Sequence, residues 1–184
     1  METAESRGAR VLLPSDDEPP VTSWPYPSPL QDEKVGNVGF TGVDLASQRL
    51  ENVTLTRCRF TNSRLMGVSM VRVTLKDVLF ENCTFDYAIW EHVTAAGGVA
   101  FVGCSFKETI FEGGDLRGTV FDDCALGAEF QRTTMSGADL RGSDLDAVSG
   151  LSSLRGVTVT EAQLRQLSEV MIRDFDLTVA ELPL

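Results

Sequence analysis

The sequence contains few of the residues and motifs on which most enzymes rely. Its 184 residues include one histidine, His92, which no serine or cysteine nucleophile motif accompanies. There is no glycine-rich phosphate loop, and the roughly twenty residues that separate the last three cysteines match no zinc motif. We therefore expect no enzymatic activity, no cofactor and no bound metal.

Long apolar runs are also missing, because no stretch is long enough for a secretory signal or a membrane span. We therefore expect a cytoplasmic protein that does not insert into a membrane. In that compartment cysteines stay reduced, so free thiols are a better reading than disulfides. The cysteines concerned are Cys58, Cys83, Cys104 and Cys124.

Charge is abundant but unbalanced, with a formal net charge of −11. Residues 36–75 carry five basic and two acidic side chains, whereas residues 76–150 carry five basic and thirteen acidic ones. A strongly acidic surface repels the phosphate backbone, so we expect no direct nucleic-acid binding. Such a surface attracts proteins with basic grooves, although it can also serve solubility alone.

What the sequence does contain is a large apolar residue at every fifth position from Phe40 to Leu145. The spacing slips by one residue within 95–100 and slips back between Leu126 and Phe130. A period of five fits neither an α-helix nor a β-strand. A small or β-branched residue precedes each large residue by two positions. Gly or Asn often follows it by two, where tight turns need a positive φ. The pattern predicts a four-sided coil of about twenty residues, stacked as parallel ladders.

This pattern resembles the pentapeptide repeat family, whose motif is approximately A-(D/N)-L-x-x. The best matches are Ala138-Asp139-Leu140-Arg141-Gly142, Ser143-Asp144-Leu145, Gly114-Asp115-Leu116-Arg117-Gly118 and Val43-Asp44-Leu45. The resemblance covers residues 36–150. It implies an all-β solenoid, a right-handed quadrilateral parallel β-helix of about five coils, with a C-terminal capping helix.

Sorting the large residues by coil predicts the interior columns. The first column, which we take as the structural core, consists of Phe40, Phe60, Phe80, Phe101 and Phe121. The other columns begin at Leu45, Leu50 and Leu55. The column that begins at Leu55 has a weak place at Ala95, where the spacing slips, and there we predict a bulge or short loop on one face.

The N-terminal segment differs from the repeats in composition. Residues 1–35 hold six of the seven prolines and the acidic run Asp16-Asp17-Glu18. We predict a Pro-rich, acidic, mostly disordered tail. Trp24 and Tyr26 have three interpretations: a cover over the open first coil, part of a mobile tail, or a recognition motif for a proline-binding groove.

Residues 151–184 form the third predicted unit, a C-terminal cap. Thr160-Glu161-Ala162-Gln163 is a capping box that begins a helix, and Leu177 with Val179 could form a final strand. The helix is predicted to plug the rod, and it is also a candidate homodimer contact, because gyrase-protecting members of the family dimerise through this end. The residues for both roles are Leu164, Leu167, Val170 and Met171.

Two functions follow from the repeat and its charge. The first is a non-enzymatic rod or scaffold that binds an unidentified protein partner. The alternative, implied by the resemblance, is a DNA mimic that binds DNA gyrase or topoisomerase IV and gives resistance to quinolones or a natural gyrase poison. The candidate partner-binding acids are Glu81, Asp86, Glu91, Glu112, Asp115, Asp122, Asp123, Asp139, Asp144 and Asp146.

The two functions predict different surfaces. A DNA mimic should present its acids in one continuous line, whereas these acids are predicted to spread over three sides. A generic scaffold should instead present an apolar or aromatic patch, which we expect around Tyr87, Ile89, His92 and the bulge.

Overall fold

The strands of this chain stack into a parallel β-solenoid. A computed structural model describes residues 2–15 and 19–182. It is a right-handed quadrilateral β-helix of about five coils with one C-terminal α-helix, so the predicted fold class is confirmed. The acidic run Asp16-Asp17-Glu18, part of the predicted tail, lies outside the described residues.

The strands are short because each side of a coil holds few extended residues before the next corner. In chain order they are β1 (Glu2–Ser6), β2 (Ala9–Leu13), β3 (Leu30–Gln31), β4 (Lys34–Thr41), β5 (Arg49–Glu51), β6 (Thr54–Thr61), β7 (Ser69–Val71), β8 (Thr74–Glu81), β9 (Ile89–Glu91), β10 (Thr94–Ala95), β11 (Val99–Val102), β12 (Thr109–Glu112), β13 (Val120–Asp122) and β14 (Ala128–Gln131). Strands β1 and β2 form an antiparallel hairpin. The others form two parallel sheets: β4, β6, β8, β10, β11 and β13 in one, β3, β5, β7, β9, β12 and β14 in the other.

We name the four sides of the rod by their inward columns. The first side holds Phe40, Phe60, Phe80, Phe101 and Phe121; the second holds Leu45, Leu65, Phe85, Phe106 and Leu126; the third holds Leu50, Met70, Trp90, Phe111 and Phe130; and the fourth holds Leu55, Leu75, Ala95, Leu116 and Met135. The strand register places members of each column one above another. On the first side the successive rings stack with centroids 4.8–5.0 Å apart. The predicted columns are confirmed.

The corners use backbone in the left-handed region. Glycines and asparagines two positions after the large residue have positive φ, as predicted; Gly67 has φ 64° and Asn52 has φ 54°. Bulkier residues also occupy such corners, for example Tyr87 at φ 61° and His92 at φ 52°. The coil geometry therefore imposes this conformation even on residues that disfavour it.

The first slip in the repeat is a one-residue bulge. Thr94 pairs with Thr74, twenty positions earlier, but Val99 pairs with Val78, twenty-one positions earlier. The extra residue lies between them, at the corner that joins the fourth side to the first. The predicted bulge is confirmed, and the inward columns remain in register across it.

The N-terminal segment is ordered where the structure describes it, which corrects the prediction of a mostly disordered tail. Strands β1 and β2 pack against the outside of the first side, where Val11 and Leu13 are fully buried. The two-residue loop Arg7-Gly8 has φ values of 46° and 91°, which suits a tight hairpin turn. The prediction weighed proline content and charge, and overlooked the alternating apolar residues of β2.

The coils also begin earlier than the predicted boundary at residue 36. Leu30 pairs with Leu50 on the third side, and Val35 pairs with Leu55 on the fourth. Trp24 packs on Phe40 with ring centroids 5.3 Å apart, and Tyr26 packs on Trp24 at 4.8 Å. Of the three interpretations, the cover over the first coil is the one that the structure shows.

The C-terminal end is closed by a 3-10 turn (Leu151–Leu154) and helix α1 (Glu161–Asp174). The predicted capping box is present, because Thr160 Oγ1 accepts from Gln163 N and the Gln163 side chain accepts from Thr160 N. No strand forms at Leu177 and Val179, so that prediction is wrong. Both residues are exposed, and no neighbouring ladder within the described residues reaches them.

Polar side chains of α1 satisfy the open backbone of the last coil. Gln163 Nε2 donates to the carbonyl oxygens of Leu140 and Ser143 at 2.6 and 2.7 Å. The Asp174 carboxylate accepts from two backbone N–H groups of the last coil at 2.8 and 2.9 Å. A solenoid end leaves such groups without a next coil to pair with, and the helix replaces that coil.

Candidate protein-binding surface

The rod interior is filled by side chains, so its candidate sites lie on the surface. A cavity of about 570 Å³ separates the first side from the segment that leads into the first coil, near Asn37, Arg57 and Arg59. Among residues 2–15 and 19–182, its lining contains no histidine, cysteine or carboxylate. Within residues 2–15 and 19–182, no group of three metal-ligating side chains is suited to hold a metal ion, and no helix is long and apolar enough to span a bilayer.

The acidic candidates are distributed around the rod, and half of the ten form ion pairs with arginine. The pairs with measured separations are Glu81–Arg59 at 2.7 Å, and Asp115–Arg117, Asp122–Arg7 and Asp139–Arg141 at 2.6 Å each. Glu112 is paired with Arg132. These arginines neutralise part of the acidic surface, and the acids form no single line along the rod.

Two of these pairs hold their carboxylates strongly ionised. Hydrogen bonds from Arg117 lower the pKa of Asp115, and hydrogen bonds from Arg141 lower the pKa of Asp139. Asp139 is only 7% exposed, so its pair with Arg141 belongs to the structure of the coil. An anionic group that is already paired offers less to a partner's basic groove.

Other acids serve the backbone of neighbouring corners. Asp86 accepts from Ser105 Oγ and, at 3.0 Å, from Lys107 N, while Asp144 accepts from Asp146 N at 3.0 Å. Among the described residues, the side chains of Glu91, Asp123 and Asp146 form no hydrogen bond or ion pair. These three carboxylates are therefore the ones free to meet a partner.

The third side carries the apolar patch that the sequence predicted near Tyr87 and Ile89. Tyr87 is 47% exposed and Ile89 is 42% exposed. Ile110 pairs with Ile89 on the next coil and is partly exposed. His92 lies at the following corner, where its Nδ1 is 3.0 Å from Gly113 O.

Acids border these isoleucines in the same two strands. Ile89 and Glu91 both point outward from β9, because Trp90 between them points inward. Ile110 and Glu112 repeat the arrangement on β12, and Glu91 is directly paired with Glu112. Like charges directly opposite each other are destabilising, and only Glu112 has an arginine partner. We call Tyr87, Ile89, Glu91, Ile110 and Glu112 the third-side patch.

The C-terminal candidates divide between two faces of α1. Val170 is fully buried and Leu167 packs against the rod core, whereas Leu164 is 56% exposed and Met171 is 43% exposed. Phe175, one turn beyond Met171, is 56% exposed. The helix thus plugs the rod with one face and presents an apolar stripe, Leu164, Met171 and Phe175, on another.

Sequence reasoning missed the outward apolar residues of the first side. Leu79, Ala100 and Val120 occupy positions that alternate with the inward phenylalanines, yet all three are buried beneath the hairpin. Their apolar character at outward positions was the available signal. Sequence reasoning also missed Arg7, which forms an ion pair between the hairpin and Asp122, because the N-terminal segment was predicted to be mostly disordered.

Comparison with known proteins supports the family that the repeat suggests. The profile described as "Pentapeptide repeat region" matches residues 34–97, and the profile described as "Pentapeptide repeats (8 copies)" matches residues 125–146. No curated protein sequence matches the chain significantly.

Several solved structures are similar to this chain. Rfr23, a pentapeptide repeat protein from the cyanobacterium Cyanothece 51142, is 12% identical with a TM-score of 0.49, over 71% of this chain and 86% of that one. HetL of the cyanobacterium Nostoc sp. Strain PCC 7120, involved in heterocyst differentiation regulation, is 15% identical with a TM-score of 0.36, over 65% and 63%. QnrB1, a plasmid-mediated fluoroquinolone resistance protein, is 14% identical with a TM-score of 0.32, over 88% and 98%. None of these similarities bears on function.

Proposed function

This chain is a pentapeptide repeat protein, and we propose that it is a non-catalytic, cytoplasmic scaffold that binds a protein partner through the third-side patch. The observation that carries the proposal is exposed Ile89, paired with partly exposed Ile110 and bordered by Glu91 and Glu112. The hairpin covers part of the first side, and Trp24 and α1 cover the two ends.

The composition of the patch defines the partner's chemistry. Exposed isoleucine and tyrosine side chains favour an apolar counterpart, while Glu91, which has no arginine partner among the described residues, favours lysine or arginine. A cation beside Glu91 would supply the counter-charge that Arg132 already provides for Glu112. We therefore expect a protein segment that combines apolar and basic side chains.

An affinity capture with matched variants tests this proposal. Ile89→Ser with Glu91→Gln removes the apolar surface and one charge, and Asp123→Asn removes one charge on a different side. We expect mass spectrometry to identify a protein captured by the natural chain and by the control, but not by the patch variant. The purified partner should then bind the patch variant at least tenfold more weakly. Equal capture by all three proteins would refute the third-side patch as the site.

We also propose that two copies associate through the stripe Leu164, Met171 and Phe175. An exposed apolar stripe at the end of the rod would be covered in a two-fold arrangement, which is the commonest oligomer symmetry. Sedimentation at several concentrations tests this: Leu164→Glu with Met171→Glu should give monomers, while Ala162→Glu, elsewhere on the helix, should not change the association. A monomeric natural chain at high concentration would refute the dimer.

The second candidate function is binding to DNA gyrase or topoisomerase IV as a DNA mimic, which follows from the family resemblance. The excess of acids in residues 76–150 and the exposed C-terminal stripe favour it. The five arginine-paired acids count against it. A gyrase supercoiling assay with and without a quinolone, at two salt concentrations, tests this second candidate function. Inhibition or protection that weakens with salt would support mimicry, and no effect at tens of micromolar protein would exclude it.

A further inference from the structure

The N-terminal hairpin covers a strip that would otherwise be exposed apolar surface. Leu79, Ala100 and Val120 lie side by side on three successive strands of the first side and point away from the rod core. Together with Val11 and Leu13 of β2 they form a buried cluster separate from the core. The hairpin therefore has its own binding surface, which we call the first-side strip.

The bulge in the repeat lies where β2 of the hairpin packs closely against the rod. An ideal Cβ on Gly98 would lie 2.0 Å from Arg10 O and 3.2 Å from Val11 Cα. Only glycine allows β2 to approach this closely. The extra residue at this corner thus coincides with the position where the backbone of the hairpin meets the backbone of the rod.

Among the described residues, the polar attachments of the hairpin include two partly exposed ion pairs and one hydrogen bond. Arg7 and Asp122 are 2.6 Å apart, and their side chains are 30% and 28% exposed. Glu2 and Arg59 are 3.9 Å apart, and Leu12 N donates to the Asp77 carboxylate at 3.4 Å. Exposed ion pairs of this kind contribute little stability.

The hairpin is also separate from the rod in its backbone pairing. Its two strands form a sheet of their own and join neither parallel sheet of the described chain. An isolated two-stranded hairpin is marginally stable in water, so its order depends on docking. Undocking leaves the phenylalanine column intact, because that column lies on the opposite face of the strands.

We propose that the N-terminal hairpin is a releasable strap, and that the first-side strip beneath it docks an extended β-hairpin of a partner protein. The chain's own hairpin shows what the strip accepts: alternating apolar side chains and an arginine at the turn. A partner hairpin of this chemistry would compete with the strap. The strip lies across the rod from the third-side patch, so this proposal does not depend on the proposed function.

Hydrogen exchange of the full chain tests whether the strap releases. We expect the amides of residues 3–13 to exchange at least 100-fold faster than those of β6 and β8. Gly98→Ala should accelerate the hairpin amides a further tenfold without changing those of β6. Gly39→Ala lies on the same sheet and has open space around its Cβ, so it should not accelerate exchange of the hairpin amides. Hairpin amides that exchange as slowly as those of β8 would overturn the proposal.

A peptide titration tests whether the strip is a docking site. Val11→Asp in the full chain should unseat the strap and leave the strip intact. A labelled peptide of residues 2–15 should then bind this variant, as measured by fluorescence anisotropy. Binding should be at least tenfold weaker for a peptide carrying Arg7→Glu and Val11→Asp, and tenfold weaker for a chain that also carries Gly98→Ala. Absent binding, or equal binding to both chains, would overturn the docking site.

Discussion

Phe80 and Phe101 stack with ring centroids 5.0 Å apart and ring planes 4° apart, although twenty-one positions separate them instead of twenty. The extra residue is absorbed at the preceding corner, where Gly97 and Gly98 lie. Continuous contact within the column is thus kept although the backbone repeat is interrupted.

Phe80→Ala should lower the free energy of unfolding by about 3–5 kcal/mol, because it removes a central ring and leaves a cavity. Phe80 is fully buried and contacts Phe60, Phe85 and Phe101. Urea denaturation measures the change. Asp123→Ala, an exposed control, should alter stability by less than about 0.5 kcal/mol. A Phe80→Ala protein as stable as this control would contradict the column.

Gln163→Met should lower the free energy of unfolding by about 1–3 kcal/mol. It removes the donor to the Ser143 carbonyl, one of the two donors to the Leu140 carbonyl, and the acceptor of Thr160 N–H. Methionine has nearly the same length, so the loss reflects hydrogen bonding. Glu161→Gln, an exposed change in the same first turn, serves as a control. If thermal denaturation found both variants unchanged, the helix would not cap the rod in this way.

Alanine substitutions at Gly118 and Gly39 distinguish backbone strain from steric crowding. An added Cβ would meet nothing within 4 Å at either position. Gly118 has φ 68°, a left-handed value. Gly118→Ala should therefore destabilise the protein by about 1–2 kcal/mol. Gly39→Ala lacks this strain and should stabilise it by about 0.4–1 kcal/mol through the unfolded state. Equal effects in calorimetry would show that corner conformation does not matter.

The ionisation of Asp139 should make the stability of the folded protein depend on pH in the acidic range. Its pKa is lowered in the folded protein by hydrogen bonds from Arg141, whereas an unfolded aspartate titrates near about 3.9. The unfolded state therefore binds more protons as pH falls below about 5, and stability decreases until the folded carboxyl also protonates. Asp139→Asn should reduce the change in melting temperature between about pH 5 and pH 2. In NMR titrations, Arg141→Gln should raise the midpoint of Asp139; an unchanged midpoint would refute the pair.

The cysteines should be unreactive in the native protein. Cys58, Cys83, Cys104 and Cys124 are free and buried, and burial raises the pKa of Cys58 to about 12. Hydrogen bonds with Cys104 lower the pKa of Cys83 and Cys124, so what the four thiols share is burial. A thiol that a disulfide reagent cannot reach does not react with it readily. We expect Ellman's reagent to label four thiols after denaturation and none before. Rapid labelling of the native chain would contradict the interior assignment.

The sequence alone was sufficient to predict the rod. A large residue at every fifth position, from Phe40 to Leu145, can be buried only if the chain turns a corner every five residues. Each column is thus a local consequence of the repeat. The capping box at Thr160 was equally readable, because its hydrogen bonds join residues three positions apart.

The candidate sites depended on contacts that the repeat does not encode. Whether an acid is free or paired depends on an arginine that is often one coil or more away, as with Asp122 and Arg7. Which apolar residues remain exposed also depends on distant packing. Ile89 and Leu79 are both outward in the repeat, yet Ile89 faces solvent and Leu79 is covered.

The sequence by itself determined the coil, its inward columns and its corners, because those follow from interactions between neighbouring residues and neighbouring coils. The tertiary structure decided where the N-terminal hairpin docks, which acids are neutralised and which side of the rod stays open. These outcomes depend on segments far apart in the chain, such as Arg10 and Gly98, whose approach no local pattern specifies.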